Sequence, residues 1–257
     1  MIILSAVQFK PNLAHNMADV HNNLRRCEPL IHDAWKVGSQ LVVFPELFLT
    51  GYAFTDSTQA ASVAERKDGP TFRTMRDIAI QLDCYVAYGY VESDGNRLYN
   101  SAQIIGPDGV AYCQYRKVNL WGNDFLWATP GASVPDVVRT PFGNLSVVIC
   151  RDIRAKIPDN IPRVASTSFF DTKKPDIVAA CANWGKGGFP STSWMDFAAN
   201  HKCSLVVANR YGVEQNNGYE LDFGCGGSII IEKDWNVHTA GLKFNNDCVV
   251  TAVMEKL

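Results

Sequence analysis

The stretch that most constrains this chain is Leu145-Ser146-Val147-Val148-Ile149, an apolar run of strand length that stops at Cys150-Arg151-Asp152-Ile153-Arg154. Such a run belongs to a strand covered on both faces, whereas two arginines and an aspartate do not continue into an apolar core. The thiol is thus held rigidly where a buried strand meets a polar cluster, the setting of a positioned nucleophile. The plainer reading is a buried structural cysteine, since free cysteine is among the most buried residue types.

The same pattern recurs along the chain. Residues 2–8 read as a buried strand, and helical spacing of Met17, Val20, Leu24, Cys27, Ile31, Ala34 and Trp35 predicts a helix over 16–37, capped by Asn16 and kinked or split at Pro29. Gln40-Leu41-Val42-Val43-Phe44 is a second strand, ending in Pro45-Glu46. Gly69-Pro70-Thr71 opens a further helix. Strands over 84–91, 97–105 and 110–115 follow, with Asp94-Gly95-Asn96 and Gly106-Pro107-Asp108-Gly109 as turns, which makes an antiparallel meander ending in Tyr115-Arg116-Lys117. Beyond Cys150 come a strand over 176–181, a helix over 191–201, and strands over 204–208, 226–231 and 247–253. Residues 212–225 are polar and glycine-rich and read as a site loop. The two halves are alike, with helices outside and strands inside, so the expectation is one α/β domain over 1–257 with two packed sheets.

Composition narrows the function. A net charge of -2 with no dense Lys/Arg stripe gives nucleic-acid or anionic-membrane binding no electrostatic support, leaving a small-molecule partner. The apolar start over 1–9 is too short and lacks the basic leader of a signal peptide, and no stretch approaches the roughly 18 apolar residues of a membrane span. A cytoplasmic protein is expected. Eight scattered cysteines without a CxxC pair favour neither a zinc site nor a disulfide framework, and no cofactor is expected.

Three strand ends present Glu46, Lys117 and Cys150. A cysteine attacks as thiolate, so it needs a base or a positive field beside it; Glu46 supplies the first and Lys117 the second. The lysine also suits an oxyanion, with the backbone N–H of Arg151 as second donor. None of the histidines (His15, His21, His32, His201, His238) ends an apolar strand in this way, which disfavours a Cys-His dyad. Taken singly, Glu46 also reads as a helix-start carboxylate and Lys117 as a solvated loop charge.

Pro45-Glu46-Leu47 with Gly51-Tyr52, Tyr115-Arg116-Lys117, and Cys150-Arg151-Asp152-Ile153-Arg154 together resemble the three signature blocks of the nitrilase superfamily of carbon-nitrogen hydrolases. Asn183-Trp184 and Ala208-Asn209-Arg210-Tyr211-Gly212 resemble its later landmarks. The resemblance implies an αββα sandwich of two mixed sheets, a Glu46-Lys117-Cys150 triad with a thioester acyl-enzyme, and a homodimer or larger assembly. It also implies departures. Val118-Asn119-Leu120 stands where many members carry histidine, and Asp124 falls where a second glutamate is common, one methylene shorter. Ala155-Lys156-Ile157-Pro158-Asp159 replaces Phe-Pro-Glu, implying a reshaped loop, and the chain stops soon after Val253 without the extension that often reaches across a dimer.

Nitrile-cleaving members usually follow the cysteine with Trp-Glu; Arg151-Asp152 here points to a small linear amide instead. An N-carbamoyl substrate, which would release carbon dioxide with ammonia, and a non-catalytic binding protein are the alternatives. Tyr52, Asp124, Asn183 and Trp184 are the candidate substrate-binding residues, with Trp121 and Tyr211 as further pocket walls. For Arg154 the favoured reading is a short-range pair with Asp152, and the other is a bidentate grip on a substrate carboxylate.

Overall fold

The computed structural model describes residues 1–154, 168–185, 190–239 and 245–255, without the side chains of residues 168, 169 and 171. The first half runs β1 (Ile2–Gln8), α1 (Met17–Lys36), β2 (Leu41–Val43), α2 (Ser57–Ala61), α3 (Pro70–Leu82), β3 (Tyr85–Asp94), β4 (Arg97–Ile105) and β5 (Ala111–Arg116). Then follow α4 (Asp124–Trp127), β6 (Val138–Thr140), β7 (Gly143–Ile149) and a 3-10 turn (Cys150–Ile153). The rest is α5 (Ser168–Lys173), β8 (Ile177–Ala182), α6 (Thr192–His201), β9 (Ser204–Asn209), β10 (Val213–Asn216), β11 (Tyr219–Asp222), β12 (Ile229–Ile231), β13 (Val237–Thr239) and β14 (Cys248–Met254).

Two six-stranded sheets result, ordered β14-β1-β2-β3-β4-β5 and β13-β12-β9-β8-β7-β6. Both are mixed: β1, β2 and β3 pair in parallel, as do β7, β8 and β9, while β3–β4–β5 form the expected antiparallel meander. Alternation along each strand explains why the runs are apolar throughout. Val147 and Ile149 join Leu4, Val43 and Ala102 in a core between the sheets. Val148, one residue out of phase, packs outward with Val178, Phe170, Trp194 and Phe197 under α5 and α6. On the far side, Val20, Cys27 and Ile31 of α1 and Met75 and Ala79 of α3 close over Val42, Val86 and Tyr88. The chain is an αββα sandwich.

The short elements α2, α4, α5, β6 and β13 have no expected counterpart, and two longer segments differ from expectation. Helix α1 continues through Pro29 without a break, its start capped by Asn16 Oδ1, which accepts from the N–H groups of Ala18 and Asp19 at 2.8 and 3.2 Å. Burial of Val20, Cys27, Leu30, Ile31 and Ala34 on one face outweighs the hydrogen bond that Pro29 cannot make, since each buried aliphatic side chain contributes roughly 1.5–3 kcal/mol. The segment read as a loop over 212–225 holds the antiparallel hairpin β10–β11, turning at Asn217 and Gly218 with φ of 48° and 83°. Among the described residues no helix is long and apolar enough to cross a membrane.

Candidate active site

Glu46 follows β2 and Lys117 follows β5 in one sheet, while Cys150 follows β7 in the other, so these three side chains come together where the ends of the two sheets meet. The backbone at two of these ends is unusual. Cys150 has φ 45° and Leu47, beside Glu46, has φ 49°, both in the left-handed region that a branched or bulky residue avoids. At Cys150 the chain leaves an extended strand and enters the 3-10 turn in one residue, which turns the thiol out of the sheet. At β3, Gly89 clears the way for Glu46: a Cβ there would lie 2.8 Å from Glu46 Cα.

The charges are wholly buried and interlocked. Lys117 Nζ lies 2.6 Å from Glu46 Oε1 and 2.7 Å from Asp124 Oδ2. Asn100 Nδ2, from β4, donates to both carboxylates, at 2.7 Å to Glu46 and 3.0 Å to Asp124. Trp121 N–H completes Asp124 at 3.0 Å, and Asn183 N–H donates to Glu46 Oε2 at 3.0 Å. Burial works against the Lys117 ammonium, but Asp124 and Glu46 overcome it and hold its pKa well above the usual value. Burial, aided by Asp124, raises the Glu46 pKa against the pull of Lys117. The Cys150 thiol is pushed up by burial and then by the Glu46 charge, while Lys117 and the Asn183 N–H favour the thiolate. At rest the cysteine is therefore a thiol beside a carboxylate of raised basicity.

Asp152 stands one layer away. It accepts from Tyr115 Oη at 2.8 Å, Asn119 N at 3.0 Å and Asn119 Nδ2 at 2.9 Å, and burial pushes its pKa up to about 6. It ties the segment after Lys117 to the turn that carries Cys150. Arg154 does not pair with it: its guanidinium lies over the Trp184 ring, 5.1 Å from the centroid. The favoured Arg154–Asp152 pairing is thus corrected, because Tyr115 and Asn119 already occupy the aspartate.

A pocket of about 400 Å³ opens above Cys150, walled by Arg151, Arg154, Asn183 and Trp184 on one side and by Trp121 and the β11 end, Glu220 to Phe223, on the other. Of the candidate substrate-binding residues, Asn183 and Trp184 line this pocket. Tyr52 and Asp124 do not line this pocket. Tyr52 is buried behind it, with its hydroxyl donating to the Trp121 carbonyl oxygen, and Asp124 spends its carboxylate on Lys117, Asn100 and the Trp121 N–H. Both support the wall from behind. Tyr211 faces away, donating to Asp247 at 3.0 Å. The loop expected at 155–159 lies outside the described residues.

Sequence reasoning passed over Asn100 and the hairpin wall. Asn100 left no distinctive trace, since its strand also carries Ser101 and Gln103; the hairpin left a clearer one, Asn217-Gly218, a strong two-residue turn signal. Glu214 of that hairpin accepts from the N–H groups of Tyr52 and Ala53 at 2.7 and 2.5 Å and pairs with buried Arg210 at 2.8 Å, docking the wall onto the loop after Glu46.

The carbon-nitrogen hydrolase family matches residues 3–157, which include all three strand ends. The chain belongs to this family. Similar proteins include a nitrilase of Pyrococcus abyssi, 35% identical over 216 residues that make up 84% of this chain and 77% of that one. An (R)-stereoselective amidase of a Pseudomonas species is 36% identical over 195 residues, 76% of this chain and 66% of that one. Among solved structures, an amidase from a Nesterenkonia species superposes with a TM-score of 0.80 at 19% identity, covering 99% of this chain and 91% of that one. A variant of that amidase carries the acetamide moiety of fluoroacetamide on its active-site cysteine. This carbon-nitrogen hydrolase thus falls in the amidase-like branch of the nitrilase superfamily, and it is an enzyme.

Proposed function

We propose that this carbon-nitrogen hydrolase cleaves a small, linear, non-peptide amide through a thioester on Cys150. The observation that carries the reading is Glu46, with raised proton affinity, buried beside a pocket-lining thiol and locked to Lys117 at 2.6 Å. Glu46 takes the Cys150 proton as Sγ attacks the amide carbonyl carbon. The oxyanion that forms is received by the Lys117 ammonium and the backbone N–H of Arg151. As the C–N bond breaks, Glu46 returns its proton to the departing nitrogen, which leaves as ammonia or an amine. Water then enters, gives a proton to Glu46 and attacks the thioester; collapse releases the carboxylic acid and restores the thiol. Asp124 and Asn100 keep Lys117 and Glu46 at this spacing throughout.

Replacing Cys150 with Ala tests the assignment. Turnover of simple amides should vanish while the unfolding midpoint stays near that of the parent; retained hydrolysis would remove Cys150 from the chemistry.

A further inference from the structure

Glu46 and Cys150 share one backbone donor. The Asn183 N–H lies 3.0 Å from Glu46 Oε2, and it also favours the thiolate of Cys150. Asn183 stands one residue beyond β8, whose pairing with β9 stops at Ala182 and Asn209. What continues the ladder is a side chain. Asn209, 1% exposed and outside the pocket wall, accepts from the Trp184 N–H through Oδ1 at 2.8 Å and donates through Nδ2 to the Trp184 carbonyl oxygen at 3.4 Å. Nδ2 also donates to the Gly226 carbonyl oxygen at 2.9 Å, so an N–H on one side and a carbonyl on the other fix which way the amide faces. Asn183 is thereby held from both sides, by strand pairing at Ala182 and by the amide at Trp184. The anchor under Asn209 is itself fixed. Its own N–H donates to Ser228 Oγ at 2.9 Å, and Gln8 Oε1 of β1 accepts from the N–H groups of Gly227 and Ser228 at 2.6 and 3.0 Å. Glycine at 226 lets this approach happen, because a Cβ there would sit 2.4 Å from Gln8 Oε1. A buried polar chain thus runs from Gln8 in one sheet through Asn209 in the other, and returns through Trp184 and Asn183 to Glu46 in the first.

We propose that Asn209 is a positioning residue for the reaction: it touches no reacting atom, and works by holding the Asn183 N–H against Glu46 and beside the Cys150 sulfur. The inference rests on the reading of Glu46 as base and Cys150 as nucleophile. A donor aimed at an anion stabilises it, so this N–H keeps both groups ionisable despite their burial. Its aim depends on the peptide that follows Ala182, and Asn209 is the side chain that fixes that peptide. Without the amide, the N–H drifts and both Glu46 and Cys150 hold their protons more tightly.

The test follows the pH dependence of Cys150 alkylation by iodoacetamide, read by peptide mass mapping, beside kcat and KM for butyramide. In Asn209→Ala the rise of both rates with pH should move up by about one pH unit, with labelling at pH 7 about tenfold slower. Its kcat should fall more than its KM rises. Asn209→Ser, which keeps a short hydroxyl acceptor near the Trp184 N–H, should move the profile by less, and it carries the measurement if the alanine variant does not fold. Thr71→Val removes the buried 2.6 Å bond between Thr71 of α3 and Glu65, and should lower the unfolding midpoint with the pH profile in place. A profile that stays at the parent's position in the folded Asn209 variants overturns the inference and leaves the amidase reading standing. A parent protein that neither turns over butyramide nor takes the label on Cys150 removes both.

Discussion

Asp152 is the residue whose behaviour separates support from chemistry. It lies within the turn that opens at Cys150 but bonds to Tyr115 and Asn119 rather than to Glu46 or Lys117. Its folded pKa, about 6, lies above the ordinary value of about 4, so the folded state holds the proton more tightly than the unfolded chain. The sign follows: its contribution to stability is greatest below about pH 4, falls as pH rises towards 6, and is constant above. The unfolding free energy of the parent minus that of Asp152→Asn should therefore decline across that window and then level off, as measured by urea titrations at stepped pH. A difference that does not change with pH would mean the aspartate is ionised with ordinary affinity. How legible such residues are depends on their position. Glu46, Lys117 and Cys150 could be found because each ends an apolar run, whereas the partnership of Asn100 with two carboxylates depends on strand pairing that no local pattern encodes. The left-handed backbone of Cys150 likewise leaves no mark in composition, since cysteine carries no special preference for it.

At the scale of elements, two contacts set the site. Strand β3 passes beneath Glu46 only because position 89 has no side chain. Gly89→Ala should cost about 1–3 kcal/mol in overpacking and, by shifting Glu46, lower kcat more than it raises KM. Steady-state kinetics beside denaturant unfolding reads both effects; unchanged kcat would show that Glu46 tolerates displacement. The β10–β11 hairpin depends on Glu214, which bridges Arg210 and the N–H groups of Tyr52 and Ala53. Glu214→Gln leaves Arg210 without a counter-charge, a loss of about 3–5 kcal/mol for a buried pair, and should loosen the wall that β11 contributes. The expected signature is a lower unfolding midpoint together with a higher KM. The longer elements were readable from apolar periodicity, with ends shifted by up to three residues. The short ones, α2, α4, α5, β6, β13 and the hairpin strands, were not; in the hairpin, Val213-Glu214-Gln215-Asn216 carries little hydrophobic signal.

For the whole molecule, the sandwich explains why the site is preorganised. The core between the sheets holds the strands in register, so their ends bring a carboxylate and an ammonium from one sheet to a thiol from the other. The fold was legible because most of the long buried strands declared themselves as apolar runs, and the repeated order of strands and helices in both halves pointed to two sheets. The pocket was less so: that Arg154 lies over Trp184 rather than pairing with Asp152 depends on Tyr115, 37 residues away from that aspartate. The most direct test of the account is intact-protein mass spectrometry after brief mixing with a panel of amides. The account predicts a mass increase equal to one acyl group, mapped to Cys150 and absent in Cys150→Ala. Turnover with the label on another residue, or hydrolysis by the alanine variant, would contradict it.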